Sequence, residues 1–95
     1  MPIFVPERQD GFETPATPAF WEAYDRLPEQ IRKLADGNFD LLKQDPRHPS
    51  LHFKRVGRFW SARVGASWRA LAVSDGDDII WFWIGSHADY DKLLK

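Results

Sequence analysis

Ninety-five residues with no cysteine and 43% hydrophobic content set the expectation of one small domain without disulfide staples or a cysteine-ligated metal. The formal net charge of −1 argues, taken alone, against nucleic acid as a partner. No apolar run approaches the roughly 20 residues of a membrane span, and Ile79–Ile84, IIWFWI, is the length of a strand.

The charge is unevenly spread. Residues 1–45 carry nine acids and five bases, residues 70–95 five acids and two bases, and residues 46–69 six bases with no acid. Arg47, Lys54, Arg55, Arg58, Arg63 and Arg69 therefore concentrate a positive field in one segment of a nearly neutral chain. Pairing of some of these bases with helix acids is the plainer alternative.

The opening MPIFVPERQ lacks the basic start and long apolar run of a secretory signal. With the absence of cysteine, this predicts a cytoplasmic protein. Residues 1–17, with Pro2, Pro6 and Pro15, read as an irregular arm in which Ile3–Val5 has the composition of a short strand. Residues 18–95 form the expected domain. Thr17-Pro18 opens a helix as N-cap and first helical residue, with Phe20, Tyr24 and Leu27 on one face. Pro28 breaks it and starts a second helix, along which Ile31, Leu34, Ala35, Asn38, Leu41 and Leu42 form a stripe. The segment QDPRHP ends the helical hairpin.

After Pro49 the apolar period changes to two. Strands are expected at 51–56, 58–64, 68–74 and 78–84, with Asp75-Gly76 turning the last pair. The fourth is apolar on both sides, as a central or doubly covered strand is. GSHADYDKLLK suits a short terminal helix. The fold class is α+β: a helical hairpin packed on one face of a small antiparallel sheet.

The second and third strands set an electrostatic problem. A loop of Gly65-Ala66-Ser67 places Trp60, Ala62 and Val64 against Ala72, Ala70 and Trp68, an entirely apolar surface. A one-residue slip would spoil that face, so register follows from it. The other surface then opposes Arg63 and Arg69, a like-charge pair that is normally destabilising. Either a carboxylate of the C-terminal segment, Asp89 or Asp91, compensates, or a ligand anion does. Guanidinium groups suit phosphate through their planar fork of donors. Lys54, Arg55 and Arg58 widen the basic patch, and helices on one sheet face leave the arginine face open.

His87 and Tyr90 follow the last strand. Histidine is suited to proton transfer near neutral pH and tyrosine to donating a hydrogen bond or stacking on a base. Both residues also have plain structural uses, capping the strand and closing the core edge. His48 and His52 are four apart, but Pro49 interrupts any helix joining them, so no metal site is expected and no cofactor motif is found.

Taken in order, the helical hairpin, LHFKRVGRFWSARVGASWRALAV, the acidic turn and IIWFWIGSHADYDKLL resemble the RelE/ParE superfamily of toxins from bacterial type II toxin–antitoxin systems. SARVG…WRAL and IG-x-H…Y are the most specific parts. The resemblance implies a cognate antitoxin as partner. For the RelE branch it implies metal-independent cleavage of messenger RNA in the ribosomal A site, by attack of a ribose 2′-hydroxyl on the adjacent phosphate. Carried over by position, Arg63, Arg69, His87 and Tyr90 are the implied catalytic set, with Lys54, Arg55, Arg58 and Ser61 as RNA contacts. Ser61 stands where the best-known RelE nuclease has a lysine. DGFETPAT does not read as the superfamily's usual first strand. The alternatives are a ParE-like inhibitor of DNA gyrase without nuclease chemistry and a non-toxic partner-binding domain of the same fold.

Overall fold

The computed structural model describes residues 16–76 and 78–94. The expected Ile3–Val5 strand lies outside the described residues. Helix α1 spans Pro18–Asp25, and the Thr17 hydroxyl accepts the Phe20 N–H at 3.2 Å. Helix α2 spans Glu29–Gln44. The α1–α2 corner is tied from both sides. Arg32 donates Nη1 to the carbonyls of Asp25 and Leu27, both at 3.3 Å, satisfying acceptors that the end of α1 leaves open. The Tyr24 hydroxyl lies 2.7 Å from Asp36 Oδ1.

The sheet is four-stranded, antiparallel and ordered as in the sequence: β1 (Lys54–Val56), β2 (Phe59–Val64), β3 (Trp68–Asp75) and β4 (Asp78–Ser86). Helix α3, His87–Leu94, follows directly. The first strand starts three residues later than the sequence predicts. Pro49–Leu51 forms a 3₁₀ turn, and His52 then takes a left-handed φ of 43°, which interrupts the extended chain before Lys54. Leu51 is instead a buried plug beneath β2.

Pairing of β2 with β3 follows the apolar face: Trp60, Ala62 and Val64 oppose Ala72, Ala70 and Trp68. Helices α1 and α2 cover this inner face. The alanines make room for rings: Phe39 meets Trp81 edge-on at 5.1 Å between centroids and Phe20 at 6.1 Å, and Phe20 and Trp81 are fully buried. Phe39 is absent from the stripe that periodicity picks out in α2. The stripe is centred on Ala35, Phe39 and Leu42, and Leu34 is 42% exposed.

Strand β4 is an edge strand, not a central one. Its apolar character on both sides has two physical causes. On the inner face it packs against α1. On the outer face Phe82 lies 5.4 Å from Phe59, centroid to centroid. Phe82 is also the extra residue of a bulge, because Leu71 pairs with Trp83 while Ala72 pairs with Trp81. The bulge resets the alternation, so Trp81 and Ile84 both point inward. The free side of β4 is partly closed by the chain entering α1. Ala16 forms a parallel bridge to Trp81, and Thr17 N–H donates to the Trp81 carbonyl at 2.9 Å. Ala16 and Thr17 are the end of DGFETPAT, which gave no strand pattern; the rest of that segment lies outside the described residues.

The outer face is not fully open, which corrects the expectation that only the side facing the helical hairpin is covered. Helix α3 packs on β3 and β4, and its distal Leu93 and Leu94 face Val56, Gly57, Arg58 and Phe59 across a cleft of about 300 Å³. Leu71, in the middle of that face, is only 1% exposed. No α3 residue is itself buried, so the roof is thin.

Candidate nucleic-acid interface at the β2–β3 hairpin

The three-residue loop Gly65-Ala66-Ser67 joins Val64 to Trp68 and puts Arg63 directly opposite Arg69 on the outer face. Gly65 takes a φ of 62°, a conformation that costs an L-residue strain. A Cβ there would also meet Leu34 Cδ2 at 2.5 Å. The half-exposed Leu34 therefore closes over the loop. With the loop held, its carbonyls are fixed acceptors. Arg63 Nε donates to the Gly65 carbonyl at 2.9 Å and Arg69 Nη1 to the Trp68 carbonyl at 2.8 Å.

These bonds anchor each guanidinium by one nitrogen and leave the remaining donors uncommitted. Among the described residues neither arginine forms an ion pair with a carboxylate. Asp91 lies 3.2 Å from His87 Nδ1 instead, and the Asp89 N–H donates to Ser86 Oγ at 3.2 Å in a helix cap. Arg69 is held below the usual arginine range, first by burial and then by the Arg63 cation, with Tyr90 and Asp91 acting in the opposite sense. Arginine's intrinsic basicity keeps it charged nonetheless. Asp91 thus moderates Arg69 from a distance but does not neutralise it.

Helix α3 brings the remaining groups to the same end. The His87 N–H donates to the Ser67 carbonyl at 2.7 Å, locking the helix start to the hairpin loop. His87 and Tyr90, three apart on α3, have ring centroids 5.9 Å apart. The i,i+4 contact with Asp91 engages Nδ1 of His87, leaving Nε2 as the ring's outward nitrogen.

The other basic residues divide. Lys54 pairs with Ser61, which pairs with Leu71 and then Trp83, so Lys54 shares the outer face one row from the arginines. It is exposed, whereas Ser61 within that row is 3% exposed and presents little surface. Arg55 pairs with Trp60 on the opposite face. It donates Nε to the Gly57 carbonyl at 3.2 Å and rests 5.9 Å from the Trp60 ring centroid. Arg58 sits at the far hairpin, 5.2 Å from the Phe59 ring centroid, five residues along β2 from Arg63, or about 17 Å. Arg55 and Arg58 do not join the arginine pair. No group of three or more His, Cys, Asp or Glu able to hold a metal occurs among the described residues. No described helix is long and apolar enough to cross a membrane.

Sequence reasoning missed Asp91's contact with His87, the fixed acceptor role of Gly65 and the packing of the Trp83 indole on Gly85, the cross-strand partner of Arg69. The first was readable as an i,i+4 histidine–aspartate spacing on a helix. The others depend on backbone φ and ring packing.

Comparison with known proteins agrees with this architecture. A family model described as a ParE-like toxin domain matches residues 29–92. Among curated proteins none is similar enough to match. The fold is shared with the RelB–RelE antitoxin–toxin complex of Methanococcus jannaschii, at TM-score 0.65 and 17% identity, covering 84% of this chain and 98% of that one. It is also shared with a copper-bound mutant toxin of Helicobacter pylori, at TM-score 0.52 and 17% identity over 78% and 92% of the two chains. The solution structure of HP0894 from Helicobacter pylori is similar at TM-score 0.51 and 17% identity, over 77% and 91%. The chain carries a ParE-like toxin domain and belongs to the RelE/ParE superfamily of toxins.

Proposed function

We propose that this chain is the toxin of a toxin–antitoxin pair and a metal-independent endoribonuclease that cuts messenger RNA on the ribosome. The observation that carries the reading is the opposed, carboxylate-free pair Arg63–Arg69 beside His87 and Tyr90. A phosphodiester supplies the anion that this pair lacks, and two guanidinium forks stabilise the extra charge that develops on phosphorus.

In the proposed reaction the ribose 2′-oxygen attacks the adjacent phosphorus and loses its proton to a base. The bond from phosphorus to the next nucleotide's 5′-oxygen breaks, and that oxygen takes a proton from an acid. The products are a 2′,3′-cyclic phosphate and a 5′-hydroxyl. His87, steadied through Nδ1 by Asp91, offers Nε2 for proton transfer, and the Tyr90 hydroxyl is a second donor at the same end. Lys54 on the outer face is an accessory phosphate contact. The described placement of Arg55 and Arg58 suits contacts to a longer RNA or to the ribosome rather than to the scissile phosphate.

The antitoxin partner is proposed from the same family membership, together with the antitoxin bound to the Methanococcus jannaschii neighbour. A second reading, inhibition of DNA gyrase without nuclease chemistry, is favoured by the ParE-like match and by Ser61 in place of a lysine. Induction of the chain alone in a bacterium separates the two. The nuclease reading expects translation arrest and new message ends with 5′-hydroxyls, absent with Arg69→Ala. Intact messages with DNA-damage signalling would establish the gyrase reading instead.

A further inference from the structure

Three groups at the arginine end are bonded to backbone carbonyls of one short turn of chain. Arg63 Nε donates to Gly65 at 2.9 Å, the His87 N–H to Ser67 at 2.7 Å and Arg69 Nη1 to Trp68 at 2.8 Å. Of these three acceptors, Gly65 has no Cβ of its own to restrain its backbone. We propose that Leu34 of α2 is a positioning residue for the phosphate clamp: packed on Gly65, it fixes the carbonyl that aims the Arg63 guanidinium. The proposal rests on the phosphate-binding reading of Arg63 and Arg69.

Three observations support it. The first is contact. A Cβ on Gly65 would fall 2.5 Å from Leu34 Cδ2, so a methyl of α2 fills the place of the side chain that Gly65 lacks. Gly65 holds φ at 62°, and glycine crosses between left- and right-handed backbone at no steric cost. A methyl lodged against it removes that freedom, and with it other orientations of the Gly65 carbonyl. The second is exposure. Leu34 is 42% exposed, whereas Ala35, Phe39 and Leu42 carry the buried face of α2. It buries little apolar area in the core, so core packing does not account for its place over the loop. The third is the unequal anchoring of the two arginines. Arg69 is bonded to the carbonyl of Trp68, a residue that pairs with both Val64 of β2 and Ser86 of β4. The strand ladder fixes that acceptor. Arg63 is bonded to Gly65, which lies beyond the last β2–β3 pair. Its aim therefore depends on whatever holds the loop, and Leu34 does so from the neighbouring layer. A guanidinium aimed in advance loses less freedom when phosphate binds and needs no reorganisation as charge develops on phosphorus.

The test compares the full chain with Leu34→Ala and Leu34→Met. Hydrogen exchange at Arg63 Nε–H and at the His87 amide is followed by NMR, together with a titration by inorganic phosphate. Leu34→Ala is expected to stay folded, with Tm lowered by no more than about 8 °C. Arg63 Nε–H is expected to exchange about 10- to 100-fold faster, as loss of one hydrogen bond from a charged donor allows. The His87 amide, bonded to Ser67 in the same loop, is expected to keep its wild-type rate. Phosphate is expected to bind about 2- to 12-fold more weakly, the cost of ordering one more long side chain. Leu34→Met, which reaches Gly65 with a flexible stem, is expected to restore both values. If phosphate binds the wild type but Leu34→Ala changes neither Arg63 exchange nor phosphate affinity, the positioning role is refuted and the clamp survives. Equal acceleration at Arg63 and His87 would mark a general loosening of the loop and also refute it. If phosphate moves neither arginine signal in the wild type, the clamp reading falls and the role of Leu34 with it.

Discussion

Replacing Arg69 by methionine separates a functional arginine pair from a structural one. Methionine keeps the stem and the β-strand packing and removes the charge. In the folded protein two opposed cations about 5–8 Å apart repel by about 1–2 kcal/mol at an effective dielectric of about 40. Burial of Arg69 adds to that cost. Against it stands the hydrogen bond from Nη1 to the Trp68 carbonyl at 2.8 Å, worth about 1–3 kcal/mol net for a charged donor. The two effects nearly cancel, so Arg69→Met is expected to change stability by no more than about 1 kcal/mol. For a chain of this length that is a shift of about 4–8 °C in Tm, read by thermal or urea unfolding. The same substitution is expected to lower message cleavage at least 100-fold, as loss of a transition-state charge donor does. Phosphate should stabilise the wild type by mass action and leave the variant unmoved. A destabilisation of about 3 kcal/mol or more, with no effect of phosphate on either protein, would show that the pair serves the fold and refute the reasoning. Over pH 5–9 Arg69 should add no slope to stability. Its depressed pKa in the fold makes the charged form costly at every pH below that value, and relief comes only as the pH rises through it, in strongly alkaline solution.

Three other outcomes are expected. His87→Ala should reduce single-turnover cleavage about 100-fold or more, while Asp91→Asn, which leaves the ring in place, should cost less. Both should unfold within about 1 kcal/mol of wild type because the pair is exposed. Gly65→Ala combines a left-handed φ with a 2.5 Å approach to Leu34, and is expected to destabilise by about 1–3 kcal/mol. Adding Leu34→Ala should recover the steric part, and a double-mutant cycle by urea unfolding measures it. Phe39→Ala, which empties the space between Phe20 and Trp81, should cost about 3–5 kcal/mol by the same assay.

The β2–β3 register was legible because one face of that hairpin is wholly apolar, and only one pairing keeps it so. The N-cap at Thr17 and the break at Pro28 were legible because each uses a residue whose chemistry fixes one local geometry. The sequence reading failed where local pattern and tertiary packing diverge. Leu34 belongs to the helical stripe by spacing, yet it leans out over Gly65, while Phe39 turns inward to meet Trp81. Strand β4 reads as central or doubly covered; it is covered on both faces but lies at the edge, a position that the pattern, reset by a bulge at Phe82, conceals. The opposition of Arg63 and Arg69 followed from register alone. Their lack of a carboxylate partner did not, because it depends on Asp91 contacting His87 rather than the guanidinium groups.

The most direct measurement is cleavage of a defined message on purified, programmed ribosomes by the isolated chain, with product ends mapped and rates compared for wild type, Arg63→Met and Arg69→Met. Wild type is expected to cut the ribosome-bound message to a 2′,3′-cyclic phosphate and a 5′-hydroxyl, with both folded variants at least 100-fold slower. An intact message with folded wild-type protein, or variants that cut at the wild-type rate, would contradict the claim that these two guanidinium groups hold the scissile phosphate.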